Sequence, residues 1–279
     1  MKHLDFFGLN EEPFRMTPDR DYFFPSAQHT SISEVVHYGL EQGEGFLVIL
    51  GEVGTGKTML LRLLTARLSE KFTTALLISP NLTPKQLLQA ILHDINVEIT
   101  GQESTVKLLH TLNDYLSELY SSGRRLVLII DEAQNLPVES IEQLRILSNF
   151  ETDKDKLLQI ILVGQPELKT IIDSNELRQL KQRITITENL EPLTLHEMAD
   201  YIAFRLNKAG RGDLRLNNGG NKTVFRFTGG TPRLVNKLMG RALLVAFADR
   251  KQSIDKKIIQ YAAKSLEMTP IRNWLQWFN

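Results

Sequence analysis

Two hydrophobic patterns alternate over the first two thirds of the chain. Short, almost entirely apolar runs predict five strands: FLVIL (46–50), TALLIS (74–79), LVLII (126–130), LQIILVG (158–164) and RITITE (183–188). Stretches in which apolar residues recur every three or four positions predict helices at 57–70, 84–95, 104–121, 137–150 and 166–181. Strands that are apolar on both sides are typical of a parallel sheet covered by helices on both faces. The pattern therefore predicts an α/β fold.

The strand pattern stops at Pro192. A capping box, with Thr194 at the cap and Glu197 three positions later, opens the first of four predicted helices, at 194–208, 219–227, 231–247 and 254–267. We expect an α/β domain over residues 1–191, a small all-helical domain over 192–267 and an aromatic tail over 268–279.

Composition narrows the class of protein. The 279 residues contain 33 Lys and Arg against 33 Asp and Glu, so the net charge is zero and no strongly basic nucleic-acid binder is indicated. The absence of cysteine excludes disulfides, cysteine-bound zinc and thiol catalysis. The N-terminus lacks the apolar core of a signal peptide, and the apolar runs are far shorter than the roughly 20 residues that cross a bilayer. We expect a soluble, cytoplasmic protein.

A glycine-rich loop joins the first predicted strand to its helix. Its sequence, GEVGTGKT (51–58), matches G-x-x-x-x-G-K-[ST]. Glycines let backbone N–H groups converge on a triphosphate, and the helix N-terminus adds further donors. We expect Lys57 to reach the β- and γ-phosphates of ATP and Thr58 to bind Mg²⁺ through its hydroxyl. The candidate nucleotide-binding residues are Gly51, Glu52, Val53, Gly54, Thr55, Gly56, Lys57, Thr58 and Met59.

Two carboxylates follow the third predicted strand, in RRLVLIIDEAQ (124–134). Ligands of open parallel sheets bind at the carboxyl ends of the strands. We expect Asp131 to hold Mg²⁺ through its water shell and Glu132 to activate a water for attack on the γ-phosphate.

These motifs resemble those of AAA+ ATPases, and in particular the ATPase module of the general secretion pathway protein A (ExeA-like) family. The resemblance covers nearly all of residues 4 to 267. Its more specific pieces are TPD (17–19), SNFETDK (148–154), VGQPEL (163–168), LRQLKQRI (177–184) and GGTPRLVNKL (229–238). Transposition ATPases of the TniB/TnsC type share several of them.

The resemblance implies further site residues. Gln165 stands where this class places a polar sensor of the γ-phosphate, although many members have Asn there; the alternative is an amide that caps the next helix. Arg183, with Arg178 as second choice, corresponds to an arginine finger that acts in a neighbouring subunit. Arg233 corresponds to the lid arginine that contacts the same ATP. The segment MTPDRDYFF (16–24) either lies near the adenine or contributes aromatic side chains to the core.

The resemblance also implies a function and partners. We expect a homo-oligomer, ring-shaped or hexamer-like, that hydrolyses ATP to ADP and phosphate with Mg²⁺. Nucleotide state would drive assembly of an envelope structure of the type II secretion, pilus or polysaccharide-export type, through an envelope-assembly protein partner at the inner face of the cytoplasmic membrane. Relatives often continue into a membrane helix, so truncation is favoured over a naturally short chain. The tail IRNWLQWFN (271–279) either docks on its own domain or contacts a membrane or partner.

Two other functions stay open. One is a transposition-type ATPase that contacts DNA phosphates, which is less favoured because the net charge is zero. Its basic strip would consist of Lys181, Arg183, Arg205, Lys208, Arg211 and Arg215. The other is a nucleotide switch or scaffold with negligible hydrolysis.

Overall fold

The computed structural model describes residues 2–17, 19, 21–78, 81–152 and 155–271. Within these ranges the chain groups into two compact units. The sheet unit contains residues 29–52 and 60–190. The helical unit contains the described residues up to Gln28, the loop Val53–Met59 and the described residues from Glu191 onward. Compactness alone does not define a functional domain, so the predicted boundaries at residues 191 and 267 stay a prediction.

The sheet unit is built on a parallel sheet. Its strands are β1 (Phe46–Gly51), β2 (Phe72–Ile78), β3 (Arg125–Asp131), β4 (Leu158–Gly164) and β5 (Ile184–Leu190). They lie in the order β2-β3-β4-β1-β5, and every pairing between neighbours is parallel. The predicted fold class and all five predicted strands are confirmed.

Helices connect the strands. They are α2 (Ala27–Glu41), α3 (Lys57–Arg67), α4 (Pro84–Asp94), α5 (Thr105–Ser121), α6 (Val138–Leu147), α7 (Pro166–Ile172) and α8 (Arg178–Lys181), after α1 (Lys2–Phe7) in the helical unit. The single helix predicted at 166–181 is wrong, because α7 and α8 are separated by a 3₁₀ turn at Asn175–Leu177. α7 ends at Ile172, Asp173 is its C-cap, and Ser174 has an extended backbone, as expected of two residue types that favour helix ends over helix interiors.

Apolar side chains cover both faces of the sheet. Alternate residues of a strand point to opposite faces, so each central strand contributes to two cores. One core contains Val48, Leu128, Ile130, Ile160 and Leu162, and the other contains Ile49, Val127, Ile129, Ile161 and Val163. Apart from the partly exposed Arg125 at the start of β3, these strands are consequently buried along their whole length, which explains their nearly continuous apolar sequences.

The helical unit packs α1 with the C-terminal helices. These are α9 (Leu195–Lys208), α10 (Asn218–Thr228), α11 (Pro232–Ala248) and α12 (Lys256–Ser265). The predicted capping box opens α9: Thr194 Oγ1 accepts from the Glu197 N–H at 3.2 Å, and Glu197 Oε2 accepts from the Thr194 N–H at 3.0 Å.

A buried arginine fastens the N-terminal segment to these helices. Arg205 of α9 is 5% exposed; its Nε donates to the Pro13 carbonyl at 2.5 Å and its Nη1 donates to the Tyr201 hydroxyl at 2.7 Å. The guanidinium also lies 4.9 Å from the centre of the Tyr22 ring. Burial raises the pKa of Tyr22 to about 12, and the nearby Glu11 carboxylate adds to this shift. Tyr22 therefore belongs to the core of this unit. The burial of Arg205 also removes it from the basic strip of the less-favoured DNA-binding alternative.

Gly230 tests the turn that leads into α11. Its φ is +76°, and a Cβ there would lie 1.8 Å from the Leu193 carbonyl oxygen. Because that oxygen belongs to the backbone, no side-chain movement can relieve the clash. We expect Gly230→Ala to destabilise the protein by about 2–4 kcal/mol, through backbone strain and overpacking. Thermal and urea unfolding would measure the change.

Gly219→Ala is the matched control for this prediction. A Cβ at Gly219 would meet its nearest atom, Asn217 Oδ1, at 3.4 Å, and the residue is helical. We expect it to change stability by less than about 1 kcal/mol. An equal loss of stability in Gly230→Ala and Gly219→Ala would contradict the conclusion that the turn before α11 requires glycine at position 230.

Candidate nucleotide-binding and catalytic site

The glycine-rich loop begins at the carboxyl end of β1 and leads directly into α3. β1 is buried throughout, and α3 starts at Lys57. Gly54 has φ +84° and Gly56 has φ +112°, values that favour glycine over every residue with a Cβ. Thr55 and Lys57 are 1% and 5% exposed, respectively.

The other loop residues vary in exposure. Gly51 is buried, Met59 is half-buried, and the exposed members are Glu52, Val53 and Thr58. The first turn of an α-helix has N–H groups without partners inside the helix, and the helix dipole favours an anion there. A loop of this shape, followed by a helix of 11 residues, is suited to a phosphate chain. The residues present therefore fit a nucleoside triphosphate.

Arg233 lies against this loop. It is on the first turn of α11, and its backbone N–H donates to the Gly54 carbonyl at 3.2 Å. A Cβ on Gly54 would lie 2.6 Å from the Arg233 Cβ, so the close approach itself requires glycine. The structure thus brings the predicted lid arginine to the loop, and its contact with ATP stays a prediction.

Asp131 is the last residue of β3 and Glu132 follows it, at the carboxyl ends of the strands where β1 also ends. Asp131 is 4% exposed, and its Oδ1 accepts from the Glu132 N–H at 2.9 Å. Glu132 adopts φ 54° and ψ 41°, a left-handed conformation that is uncommon for residues other than glycine. This turn directs the chain away from the strand immediately after the two carboxylates.

Two amides hold the Glu132 carboxylate. Gln134 Nε2 donates to Glu132 Oε2 at 2.6 Å, and Gln165 Nε2 donates to the same oxygen at 3.0 Å. Gln165 follows β4 at the N-cap position of α7, yet its side chain makes no capping hydrogen bond there. The alternative that its amide caps the next helix is therefore wrong. We call Glu132, Gln134 and Gln165 the amide–carboxylate cluster.

Gln134 is a member of this cluster that the sequence analysis missed. Its Oε1 accepts from the Gln165 backbone N–H at 3.1 Å, so its amide bridges the ends of β3 and β4. Gly164 gives it room, because a Cβ at Gly164 would lie 2.8 Å from Gln134 Oε1. The signal in the sequence was an amide two residues after the paired carboxylates, together with a glycine that ends the next strand.

Arg183 lies at the amino ends of the strands, opposite the carboxyl ends at which Asp131 and Glu132 lie. It immediately precedes β5, whose first residue, Ile184, pairs with Phe46 at the start of β1. β5 has seven residues, and each residue of a parallel strand advances about 3.3 Å, so the amino and carboxyl ends of the strand are roughly 20 Å apart. Arg183 therefore lies away from Asp131 and Glu132 of its own chain, and its role as an arginine finger stays a prediction.

The Arg183 guanidinium is bound to the end of α6. Its Nη1 donates to the Ser148 hydroxyl at 2.6 Å and to the Arg145 carbonyl at 3.0 Å. The ion pair with Lys156, and to a smaller extent the charge of Arg183, lower the pKa of Glu151. Arg178, the second choice, is exposed at the start of α8.

The remaining predictions have mixed outcomes. Within the basic strip, Lys181 forms an ion pair with Asp173 at 2.7 Å and Arg211 forms one with Asp213 at 2.8 Å. The aromatic cluster of the tail, at 272–279, lies outside the described residues. Every helix in the described part of the chain is too short or too polar to cross a bilayer.

Comparison with known proteins supports the fold and the glycine-rich loop. Residues 40–172, which include the glycine-rich loop and the amide–carboxylate cluster, match the AAA domain family. With the parallel sheet and the loop that follows β1, this match gives the chain the fold of AAA+ P-loop proteins, a fold that implies nucleotide binding.

Along its length the chain is similar to general secretion pathway protein A of Aeromonas hydrophila. The two are 38% identical over 275 residues, which is 99% of this chain and 50% of that protein. The chain thus spans about half the length of this relative, and the resemblance to the general secretion pathway protein A family is confirmed.

Solved structures agree on the fold. The Aeropyrum pernix ORC2 protein, in ADPNP–ADP complexes, has a TM-score of 0.69 and 17% identity, and the alignment covers 94% of this chain and 73% of that one. Drosophila ORC bound to DNA has a TM-score of 0.68 at 16% identity, and the alignment covers 92% of this chain and 65% of that one. The Thermotoga maritima RuvB Holliday junction branch migration motor has a TM-score of 0.56 at 20% identity, and the alignment covers 86% of this chain and 69% of that one.

Gly54 tests the loop as a nucleotide site. We expect Gly54→Ala to weaken ATP binding by about 10-fold or more, because a Cβ would both oppose the positive φ and displace the first turn of α11 from the loop. Equilibrium dialysis of ATP with Mg²⁺ would measure the change.

Gly123→Ala provides the matched control. Gly123 also has a positive φ, +78°, but a Cβ there would meet nothing within 4 Å. The two substitutions share the backbone cost, and we expect only Gly54→Ala to affect binding. Unchanged ATP affinity in Gly54→Ala would contradict the loop as the phosphate site.

Proposed function

We propose that this protein binds ATP with Mg²⁺ and hydrolyses it to ADP and phosphate. The observation that carries the proposal is the Glu132 carboxylate, held by two amides beside Asp131 at the carboxyl edge of the sheet. The loop that leaves β1 at that edge has the shape and donors for the triphosphate.

The phosphate-binding roles follow from side-chain chemistry. The ammonium group of Lys57 would neutralise charge on the β- and γ-phosphates, while Gly54 and Gly56 let the backbone approach them. The Thr58 hydroxyl and the Asp131 carboxylate would hold Mg²⁺, which would supply positive charge to the phosphate oxygens.

The chemical step needs an oriented water. Glu132 is the candidate general base, since a carboxylate held at one oxygen keeps its plane fixed as it accepts a proton. Gln165 has a second N–H on the amide nitrogen that donates to Glu132, and this hydrogen is suited to the γ-phosphate or the attacking water.

Arg183 would complete the site of a neighbouring subunit. Its distance from the carboxylates of its own chain supports a role in trans, where a guanidinium neutralises charge on the transferring phosphoryl oxygens. We therefore propose a homo-oligomer, such as a ring. Arg233 would pass the presence of nucleotide in the loop to α11, because its first turn already contacts Gly54.

The cellular role is proposed from the relative. The 38% identity to general secretion pathway protein A supports a part in assembling an envelope structure of the type II secretion, pilus or polysaccharide-export type, with an envelope-assembly protein as partner. That relative is twice as long, so membrane attachment and the partner belong to the proposal and not to the residues described.

DNA binding in the manner of a transposition ATPase is the second candidate. Burial of Arg205 and the ion pairs of Lys181 and Arg211 weaken the strip on which it depended. Fluorescence anisotropy with a duplex at 50 mM and 200 mM salt would test it, since phosphate contacts give strongly salt-dependent affinity. We expect no nucleotide-dependent binding at either salt concentration; tight binding at the lower one would favour DNA.

Two substitutions test hydrolysis and the shared site. We expect Glu132→Gln to retain ATP binding while kcat falls by about 10²-fold or more, because the base is lost.

We expect Arg183→Ala to lower kcat by about 10³-fold with ATP affinity unchanged. Mixing the two inactive variants should restore activity, because an intact base and an intact finger then meet between subunits. A phosphate-release assay at several protein concentrations would measure the turnover of each variant and of the mixture.

Arg178→Ala tests the second candidate finger, since Arg178 is a nearby exposed arginine. We expect it to keep wild-type kcat; a loss of kcat in Arg178→Ala but not in Arg183→Ala would transfer the role to Arg178. Failure of the mixture to regain activity would remove the role of Arg183 in trans. Wild-type turnover at background, even at high protein concentration, would instead favour the nucleotide switch or scaffold.

A further inference from the structure

We propose that Gln134 is a positioning residue for hydrolysis, which orients the Glu132 carboxylate through its side-chain amide. This inference rests on the proposed ATPase activity and adds a residue to it. Gln134 is not a catalytic residue in this account, because it acts on the reacting groups only through Glu132.

Hydrogen-bond chemistry determines which way the Gln134 amide points. The backbone N–H of Gln165 can only donate, so the oxygen of the Gln134 amide must face it, at 3.1 Å. The nitrogen then faces Glu132 Oε2, at 2.6 Å, and a carboxylate oxygen can only accept. A flipped amide would place like groups together at both contacts. One orientation therefore satisfies both neighbours.

The surroundings hold the amide in that orientation. Gln134 belongs to a 3₁₀ turn whose first residue, Ala133, is fully buried in the core of the sheet unit. The absence of a side chain at Gly164 leaves the space that the Gln134 oxygen occupies. The end of β4 is thus shaped to receive this amide.

Gln134 closes the amide–carboxylate cluster. Three hydrogen bonds join its members: Gln134 donates to Glu132, the Gln165 side chain donates to Glu132, and the Gln165 backbone N–H donates to Gln134. Replacing Gln134 removes two of these three bonds, whereas Glu132 keeps its bond to Gln165. Glu132 also has a left-handed backbone, a conformation that persists where surrounding contacts determine it. Gln134 thus contributes to the orientation of the Glu132 carboxylate and not to nucleotide affinity.

The test compares substitutions of similar size. Gln134→Met keeps the length of the side chain and removes both hydrogen bonds. We expect kcat to fall about 10-fold or more, while KM and the Kd for ATP change less than about twofold. Gln134→Glu places a second carboxylate beside Glu132. Two neighbouring carboxylates disfavour each other's ionised form, so the acid limb of the kcat–pH profile should move to higher pH.

Gln89→Met is the matched control. Gln89 lies on α4, and its amide also makes a hydrogen bond, to the Gly101 carbonyl at 3.1 Å. We expect wild-type kcat and an unchanged pH profile for this variant. The thermal unfolding temperature of each variant would be measured beside its kinetics.

The outcomes separate the inference from the proposed function. If the wild-type protein turns over ATP and Gln134→Met matches it in kcat and pH profile, Gln134 has no positioning role, although the ATPase proposal stands. Parallel losses of kcat, ATP affinity and thermal stability in Gln134→Met would show a merely structural residue and overturn the inference. Wild-type protein without turnover would overturn both proposals.

Discussion

The parallel register of β1, β3 and β4 is the constraint on which the candidate site depends. Ile130 pairs with Leu162 and Leu50 pairs with Gly164, so these strands end together at one edge of the sheet. Because side chains alternate between the faces, a slip by one residue would turn a whole strand's apolar side chains to the wrong core. Burial on both faces thus locks the register, and the register places Asp131 and Gln165 at the edge from which the glycine-rich loop leaves.

The cluster at this edge combines an unfavourable backbone with favourable side-chain contacts. A left-handed residue with a side chain costs about 1–2 kcal/mol. Hydrogen bonds to a charged group contribute about 1.5–3 kcal/mol each, and Glu132 accepts two from amides. The contacts can therefore offset the backbone cost of Glu132. This balance explains how a conformation that is uncommon for glutamate persists directly after a buried strand.

The two candidate arginines differ in what their positions allow. Arg233 contacts the loop through its backbone, so it can respond to nucleotide bound by its own chain. Arg183 lies beyond the opposite edge of the sheet, where it binds the end of α6. A guanidinium in that place is distant from the carboxyl ends of the strands of its own chain, which is the observation behind its proposed role in a neighbouring subunit.

The sequence by itself determined the features that are local in the chain. The five strands follow from apolar runs, the loop from Gly51 to Thr58 follows from contiguous spacing, and Asp131 and Glu132 follow from their place after a strand. The arginine and sensor positions came from a family resemblance. Only the tertiary structure decided that Arg205 is buried and that Gln134 binds Glu132 and Gln165. Burial and long-range hydrogen bonds depend on residues distant in the chain, and one chain's residue pattern carries no record of which distant groups meet.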